Sequence, residues 1–371
     1  MRRSGQVFKL CLLNAHNQAL AMNLSMINRL NIRTSLHTMN DIFPFQSDQL
    51  IIKIPSPNNI LIIYNPISSA GNTEALAKCL EMELSCQGKS VVVRTSEKKM
   101  KGYSRVKDDI VKSDLVVVVG GDGTIRKLLD IINKTATPLY AIPGGNESLF
   151  ARSYEMSTNA QDLLEAIATG TCLQQFYGLI SGQGIQGEKP FFHMASMGLD
   201  SLTVKNIGKR KGPLNDSIYV WHGLRALCAL HHPTVSVSVD GEPVIDHGSG
   251  YIIVANNSAY ARNLQLVPSA NPSKSELVVG FLPGAKHQHE LVKAMKILQR
   301  KPANLPMQYY SGKKIACTLH DKSYPLQVDG DYFRNRDIDA GSTVEFNISA
   351  RPIRVLIPSS LNSKALQAAN Q

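Results

Sequence analysis

The chain has 371 residues, 43% hydrophobic, 19% charged and 6% aromatic, which excludes a disordered or fibrous protein and leaves room for two cores. A formal net charge of +11 favours anionic partners, but the basic residues are scattered apart from short clusters at Lys98, Lys99 and Lys101 and at Lys209, Arg210 and Lys211. With no basic helix, aromatic-interleaved repeat or zinc-finger spacing, nucleic acid is not an expected partner, and no apolar run reaches the roughly 20 residues of a membrane span.

The first forty residues hold Arg2, Arg3, Lys9, Arg29 and Arg33 with no acid before Asp41. That acid-poor, basic character fits either a mitochondrial transit peptide or a disordered leader, so residues 1–57 are set apart from the fold. Regular patterning begins at Ile60. The short β-branched run to Tyr64 predicts a buried strand, and Leu76, Cys79, Leu80 and Leu84 then recur at helical spacing. Val91 to Val93 predicts a second strand, Tyr103 to Lys112 a helix, and Leu115 to Val119 a third strand. Ile125, Leu128, Leu129 and Ile132 mark one helical face, and Leu139 to Ile142 a fourth strand.

Strand and helix alternate throughout 58–155, which predicts an α/β domain built on a doubly wound parallel sheet covered on both faces. Over 156–357 the texture changes. Thr234 to Asp240, Tyr251 to Asn256 and Leu277 to Leu282 are strand-like, with helices expected only near Leu214 to Leu230 and Gln288 to Arg300. A mainly antiparallel, β-rich second domain follows from that pattern, with a cleft between the two near the ends of the first domain's strands. Its C-terminal strands have the option of returning to the first domain, and 358–371 form a tail. The six cysteines lie far apart without a C-x-x-C pair and are expected to be free thiols.

Three turns carry the chemistry. Gly120-Gly121-Asp122-Gly123-Thr124 stands between the strongest strand and a helix. Its glycines let backbone approach a ligand, and the helix start points N–H groups at an anion such as a phosphate. A carboxylate among phosphates is repelled unless it holds Mg²⁺ or takes a proton, so Asp122 is the candidate base and metal ligand. Asn65-Pro66, with Ser68, Ser69 and Gly71, occupies the turn after the first strand. Pro143-Gly144-Gly145-Asn146, leading to Phe150-Ala151-Arg152, follows the fourth. All three fall after strands of one parallel sheet and converge on one edge.

These motifs, in this order, resemble the catalytic domain of the diacylglycerol, sphingosine and ceramide kinases and bacterial lipid kinases, a superfamily related to NAD kinase. The likeness runs on through Phe192 to Asp200, Asp240-Gly241-Glu242, Ile253 to Asn257 and Val328-Asp329-Gly330-Asp331, covering about residues 58–357. It implies ATP and Mg²⁺ as cofactors, with phosphate contacts from Gly120, Gly121, Gly123 and Thr124. Further nucleotide contacts are implied from Asn65, Pro66, Ser68, Gly71, Thr95, Gly145, Asn146, Asp329 and Asp331.

Two departures stand out. Asn146, Ser148 and Leu149 replace the usual Thr and Asn-Asp, and the stretch Pro268 to Leu277 lacks the Asp-Gly that supplies a base in bacterial relatives. That leaves Asp122 or Glu276 as the base. The resemblance therefore implies transfer of phosphate from ATP to a lipid hydroxyl by a cytoplasmic enzyme docked peripherally on anionic membrane, or a mitochondrial one if the leader is a transit peptide. A homodimer is compatible with it. An NAD kinase-like enzyme and a catalytically silent nucleotide- or lipid-binding protein are the alternatives.

Overall fold

The computed structural model describes residues 51–68, 72–96, 103–145, 147–207, 232–259, 265–284, 305–333 and 336–361. Gly71, Asn146, the basic clusters at 98–101 and 209–211, the helices expected over 214–230 and 288–300 and the chain before Ile51 lie outside these residues.

The first half alternates as its sequence pattern predicts. Strands β1 (Ile51–Lys53) and β2 (Asn59–Tyr64) precede helix α1 (Thr73–Cys86), then come β3 (Ser90–Thr95), α2 (Tyr103–Val111), β4 (Leu115–Gly120), α3 (Asp122–Thr135) and β5 (Leu139–Pro143). Short α4 (Leu149–Ser153), α5 (Ala160–Thr169) and β6 (Thr171–Gln175) follow. The chain continues as β7 (Gly178–Gly182), β8 (Lys189–Phe191), β9 (Met194–Met197), α6 (Leu199–Ile207), β10 (Thr234–Val239) and β11 (Glu242–Ala255). It ends in β12 (Leu277–Pro283), β13 (Gln308–Gly312), β14 (Lys314–Leu319), β15 (Gln327–Val328), β16 (Asp331–Tyr332), β17 (Thr343–Ile348) and β18 (Ile353–Leu356).

The first sheet has seven strands in the order β1-β6-β18-β5-β4-β2-β3. The five strands from β18 to the β3 edge are parallel, while β6 and β1 add antiparallel pairings at the other side. β4 is buried at all six positions because helices cover both faces of a parallel sheet, and a run of valines suits that two-sided burial. Helix α3 supplies part of the cover, laying Ile125, Leu128, Leu129 and Ile132 inward at three- and four-residue steps. Strands from beyond residue 155 thus share the first sheet with those from before it.

The second sheet has eleven strands, all paired antiparallel, in the order β16-β15-β9-β11-β10-β14-β17-β7-β8, with β12 on β11 and β13 on β12. β10 alternates cleanly, with Val235, Val237 and Val239 buried against Ile315, Cys317 and Leu319. The fourteen-residue β11 pairs with β10 along its first half and with β9 and β12 along its second, with register shifts opposite Val237. Such irregularities bend a strand. Just past the end of β11, Asn256 Nδ2 donates to the carbonyls of Phe176, one residue beyond β6, and of Phe192.

Candidate active site

Within the first sheet the chain leaves β2 toward β3 on one side and leaves β4 toward β5 on the other. The crevice beyond the carboxyl ends of β2 and β4 is therefore the switch point, where ligands of open α/β sheets bind. All three sequence-predicted turns meet there. Asn65 Nδ2 donates to Thr124 Oγ1 at 3.2 Å, and Thr73 Oγ1 donates to the Asn65 carbonyl at 2.7 Å. Ser68 Oγ donates to the Gly144 carbonyl, and Gly144 N–H donates to the Gly120 carbonyl at 3.0 Å. Pro66 is exposed beside them, and Thr95 is exposed at the end of β3 on the same edge, in register with Tyr64.

The glycines serve loop packing first. A Cβ on Gly145 would stand 2.8 Å from the Cα of Gly121, and one on Gly144 would meet Gly120 at 3.1 Å and the Thr73 methyl at 2.9 Å. Two backbones touch where side chains would hold them apart. Gly123 faces the other way, its missing Cβ 3.4 Å from Asp331 Oδ2. The freedom read in the sequence as room for a ligand is thus used, at Gly120, Gly121, Gly144 and Gly145, to press two loops together.

Asp122 opens α3, after Gly121 in extended conformation, and its carboxylate crosses to the next loop. Oδ2 accepts from Leu149 N–H at 2.9 Å and Oδ1 from Phe150 N–H at 2.8 Å. A carboxylate at a helix start accepts N–H groups that have no helical partner, so Asp122 holds α4 in place. The Leu149 and Ser148 that depart from the family pattern therefore sit in this clamp: Leu149 through its N–H, and Ser148 in left-handed backbone (φ 45°) with its hydroxyl bonded to Gly145. The imidazole of His193, just before β9, lies with Nε2 4.0 Å from Asp122 Oδ1. Phe150 and Phe192 close one side of this contact, their rings edge to face at 4.6 Å.

The acids of the second sheet divide in role. Asp331 reaches the phosphate loop: its Oδ2 accepts from Arg126 Nη2 at 2.6 Å while Arg126 Nη1 donates to the Val328 carbonyl at 2.5 Å. One guanidinium near the start of α3 thereby pins the β15–β16 hairpin beside Gly123, a two-pronged use suited to arginine. Asp329 points elsewhere. Its carboxylate accepts from the N–H groups of Phe192, His193 and Met194, at 2.8 to 3.1 Å, so it orders the backbone before β9. Glu276 precedes β12, 35% exposed, with Lys274 Nζ at 3.8 Å; no contact joins it to Asp122. The sequence marked His193 only as a member of the Phe192 to Asp200 motif, with no role of its own, and did not mark Arg126; the neighbours of both lie more than sixty residues away in the chain.

Among the described residues no three His, Cys, Asp or Glu side chains form a metal cluster by themselves. Nor is any described helix long and apolar enough to cross a membrane.

A parallel α/β sheet with glycine loops at its switch point is joined to a β-rich antiparallel sheet that reaches those loops, an arrangement similar to the fold of solved diacylglycerol kinase-like structures. Residues 59–176 match the diacylglycerol kinase catalytic domain family model, so the resemblance carried by the motifs is to that family. A diacylglycerol kinase from Mycobacterium tuberculosis (strain CDC 1551 / Oshkosh) is 28% identical over 163 residues, 43% of this chain and 52% of that protein. The match thus spans about half the length of this curated relative. Among solved structures, one proposed to be a diacylglycerol kinase from Bacillus anthracis str. Sterne superposes with TM-score 0.63 at 14% identity, covering 85% of this chain and 99% of that one. A diacylglycerol kinase of the same organism gives 0.55 at 13%, covering 83% and 100%. At these identities the structures establish the fold alone.

Proposed function

We propose that the chain binds Mg·ATP at the switch-point loops and transfers the terminal phosphoryl group to the hydroxyl of a lipid. The observation that carries this reading is the position of Asp122, whose carboxylate lies where the glycine loops of the first sheet meet the His193 segment of the second. A base must stand between phosphate donor and acceptor, and this carboxylate is the acid at that junction. In the reaction the acceptor oxygen bonds to the terminal phosphorus, the bond from that phosphorus to the bridging oxygen breaks, ADP leaves, and the hydroxyl proton passes to Asp122.

The loops suit a triphosphate: the start of α3 directs N–H groups at the crevice, and the Thr124 hydroxyl, held by Asn65, stands at its floor. Magnesium is typically held by one or two carboxylates together with substrate phosphates. Asp331, 61% exposed beside Gly123, and Asp122 would hold the ion, which when bound would neutralise phosphate charge. The net charge of +11 supports peripheral docking on anionic lipid, where the acceptor resides. Gly71 and Asn146 remain assigned to the nucleotide by the family likeness.

Incubating the purified protein with labelled ATP and diacylglycerol, sphingosine, ceramide or NAD tests the reading. Label is expected in a lipid. Label in NAD instead would establish the NAD kinase alternative, and nucleotide binding without transfer to any acceptor would establish a silent binder.

A further inference from the structure

His193 is 1% exposed, and neither ring nitrogen has a hydrogen-bond partner. A buried polar group left unpaired is destabilising, so an imidazole with two open positions is retained against the stability of the fold. Its backbone is the best-anchored part of the region: Asp329 accepts its N–H at 2.8 Å, and its carbonyl accepts from Asn256 N–H at 2.9 Å and Asn257 N–H at 3.1 Å. The ring packs edge-on against Phe192. Two more buried polar atoms on the residues bonded to His193 also lack partners, Asn256 Oδ1 and Asn257 Nδ2. Four unpaired buried atoms thus lie on His193 and the two residues bonded to its carbonyl, and they include both donors and acceptors.

The gap between His193 Nε2 and Asp122 Oδ1 is 4.0 Å. That is too long for a direct hydrogen bond, but one oxygen at about 2.8 Å from both atoms would see them about 90° apart. A hydroxyl oxygen has this arrangement to offer, with its O–H on one side and a lone pair on the other. We infer that His193 is a further catalytic residue, forming with Asp122 the seat of the acceptor hydroxyl. The hydroxyl donates to Asp122 Oδ1 and accepts from His193 Nε2–H, while Asn256 Oδ1 and Asn257 Nδ2 take other polar atoms of the acceptor's head. The site therefore selects a head bearing more than one hydrogen-bonding group, with the reacting hydroxyl placed at the base before transfer. This inference rests on the kinase reading above and specifies its acceptor end.

The test uses the full chain, His193→Leu and His193→Gln, with 1,2-dioctanoylglycerol and sphingosine as probes. Turnover, direct binding of each probe in the presence of a non-hydrolysable ATP analogue, nucleotide affinity and melting temperature are all measured. His193→Leu is expected to melt at or above the wild-type temperature, since an unpaired polar group has been replaced by an apolar one. It should keep nucleotide affinity within twofold and lose about ten- to a hundredfold in kcat/KM for the acceptor. His193→Gln, which restores a donor, should recover part of that loss. If His193→Leu turns over the probe like wild type, or loses nucleotide affinity and stability in step with turnover, the residue is structural and the inference falls. Wild-type probe binding that depends on His193 without any phosphorylation would keep the site and remove the kinase reading. Full turnover in His193→Leu would do the reverse, and no binding of either probe to the wild type would remove the acceptor seat itself.

Discussion

A β-carbon built on Gly145 would stand 2.8 Å from the Cα of Gly121, so the loop after β5 and the loop after β4 are in backbone contact. Gly145→Ala is expected to force them apart and destabilise the protein by about 1–3 kcal/mol, as overpacking does elsewhere. Nucleotide affinity should fall with it, because the phosphate-facing N–H groups move with the loop. Urea unfolding midpoints and titration with a fluorescent nucleotide measure both effects; an unchanged midpoint would refute loop packing as the role of this glycine.

Asp122 clamps the start of α4 and, in the proposed reaction, takes the hydroxyl proton, so its variants should separate the two. An asparagine can accept only one of the two N–H groups from Leu149 and Phe150, and it presents its own N–H₂ to the other. Asp122→Asn should therefore lose about 1–3 kcal/mol of stability as well as far more than tenfold in turnover. An alanine here would not leave the fold untouched, contrary to what a loop position suggests. Glu276→Gln should lose less than tenfold in turnover, since that carboxylate lies beside Lys274 and no described contact joins it to the Asp122 clamp. Steady-state kinetics at a temperature where all variants remain folded decides between the two acids, and collapse in Glu276→Gln alone would reverse the assignment.

Asp329 is expected to behave as a structural residue. Its removal leaves three backbone N–H groups, of Phe192, His193 and Met194, without their acceptor. It also occupies left-handed backbone, φ 47°, which Asn tolerates better than Ala. Asp329→Ala should lower stability by about 1–3 kcal/mol, and Asp329→Asn by less. Hydrogen exchange should quicken at residues 192–194 in both. A loss of nucleotide affinity at unchanged stability would instead return Asp329 to the nucleotide.

The buried thiols give the protein an alkaline limit. Burial pushes Cys172 and Cys317 up to about 12 from an ordinary 9.0. Burial raises the phenols of Tyr140, Tyr154 and Tyr177 as well. Above pH 9 the unfolded chain releases protons that the folded chain keeps, so the unfolded state gains and stability falls as pH rises toward 12. The contribution is fully present below pH 9. Chemical unfolding at a series of pH values should show this decline, and thiol labelling at pH 8 should reach exposed Cys79 and Cys86 well before Cys172 and Cys317. Equal labelling rates at the four sites would contradict the burial.

Much of the first sheet and its loops was legible in the residues alone, because local chemistry decides those features. A run such as Leu115 to Val119 has no comfortable place except a strand buried on both faces. The apolar steps from Ile125 to Ile132 fit one helix face, and a Gly-Gly pair between them allows only a tight turn. The order of three such turns after three parallel strands was enough to bring Asn65, Thr124 and Gly145 to one edge.

What only the tertiary structure decided is which partner each polar residue takes. Asp329 and Asp331 are two positions apart and share a motif, yet one accepts backbone N–H groups 135 to 137 residues away and the other pairs with an arginine 205 residues away. Asp122 similarly takes its partners 27 and 28 residues on, and His193 is left facing it. Backbone propensity and hydrophobic period act over a few residues and leave their mark in the sequence. A hydrogen bond between distant segments depends on where bends such as the one in β11 carry the chain, and that position is set by the packing of the whole sheet.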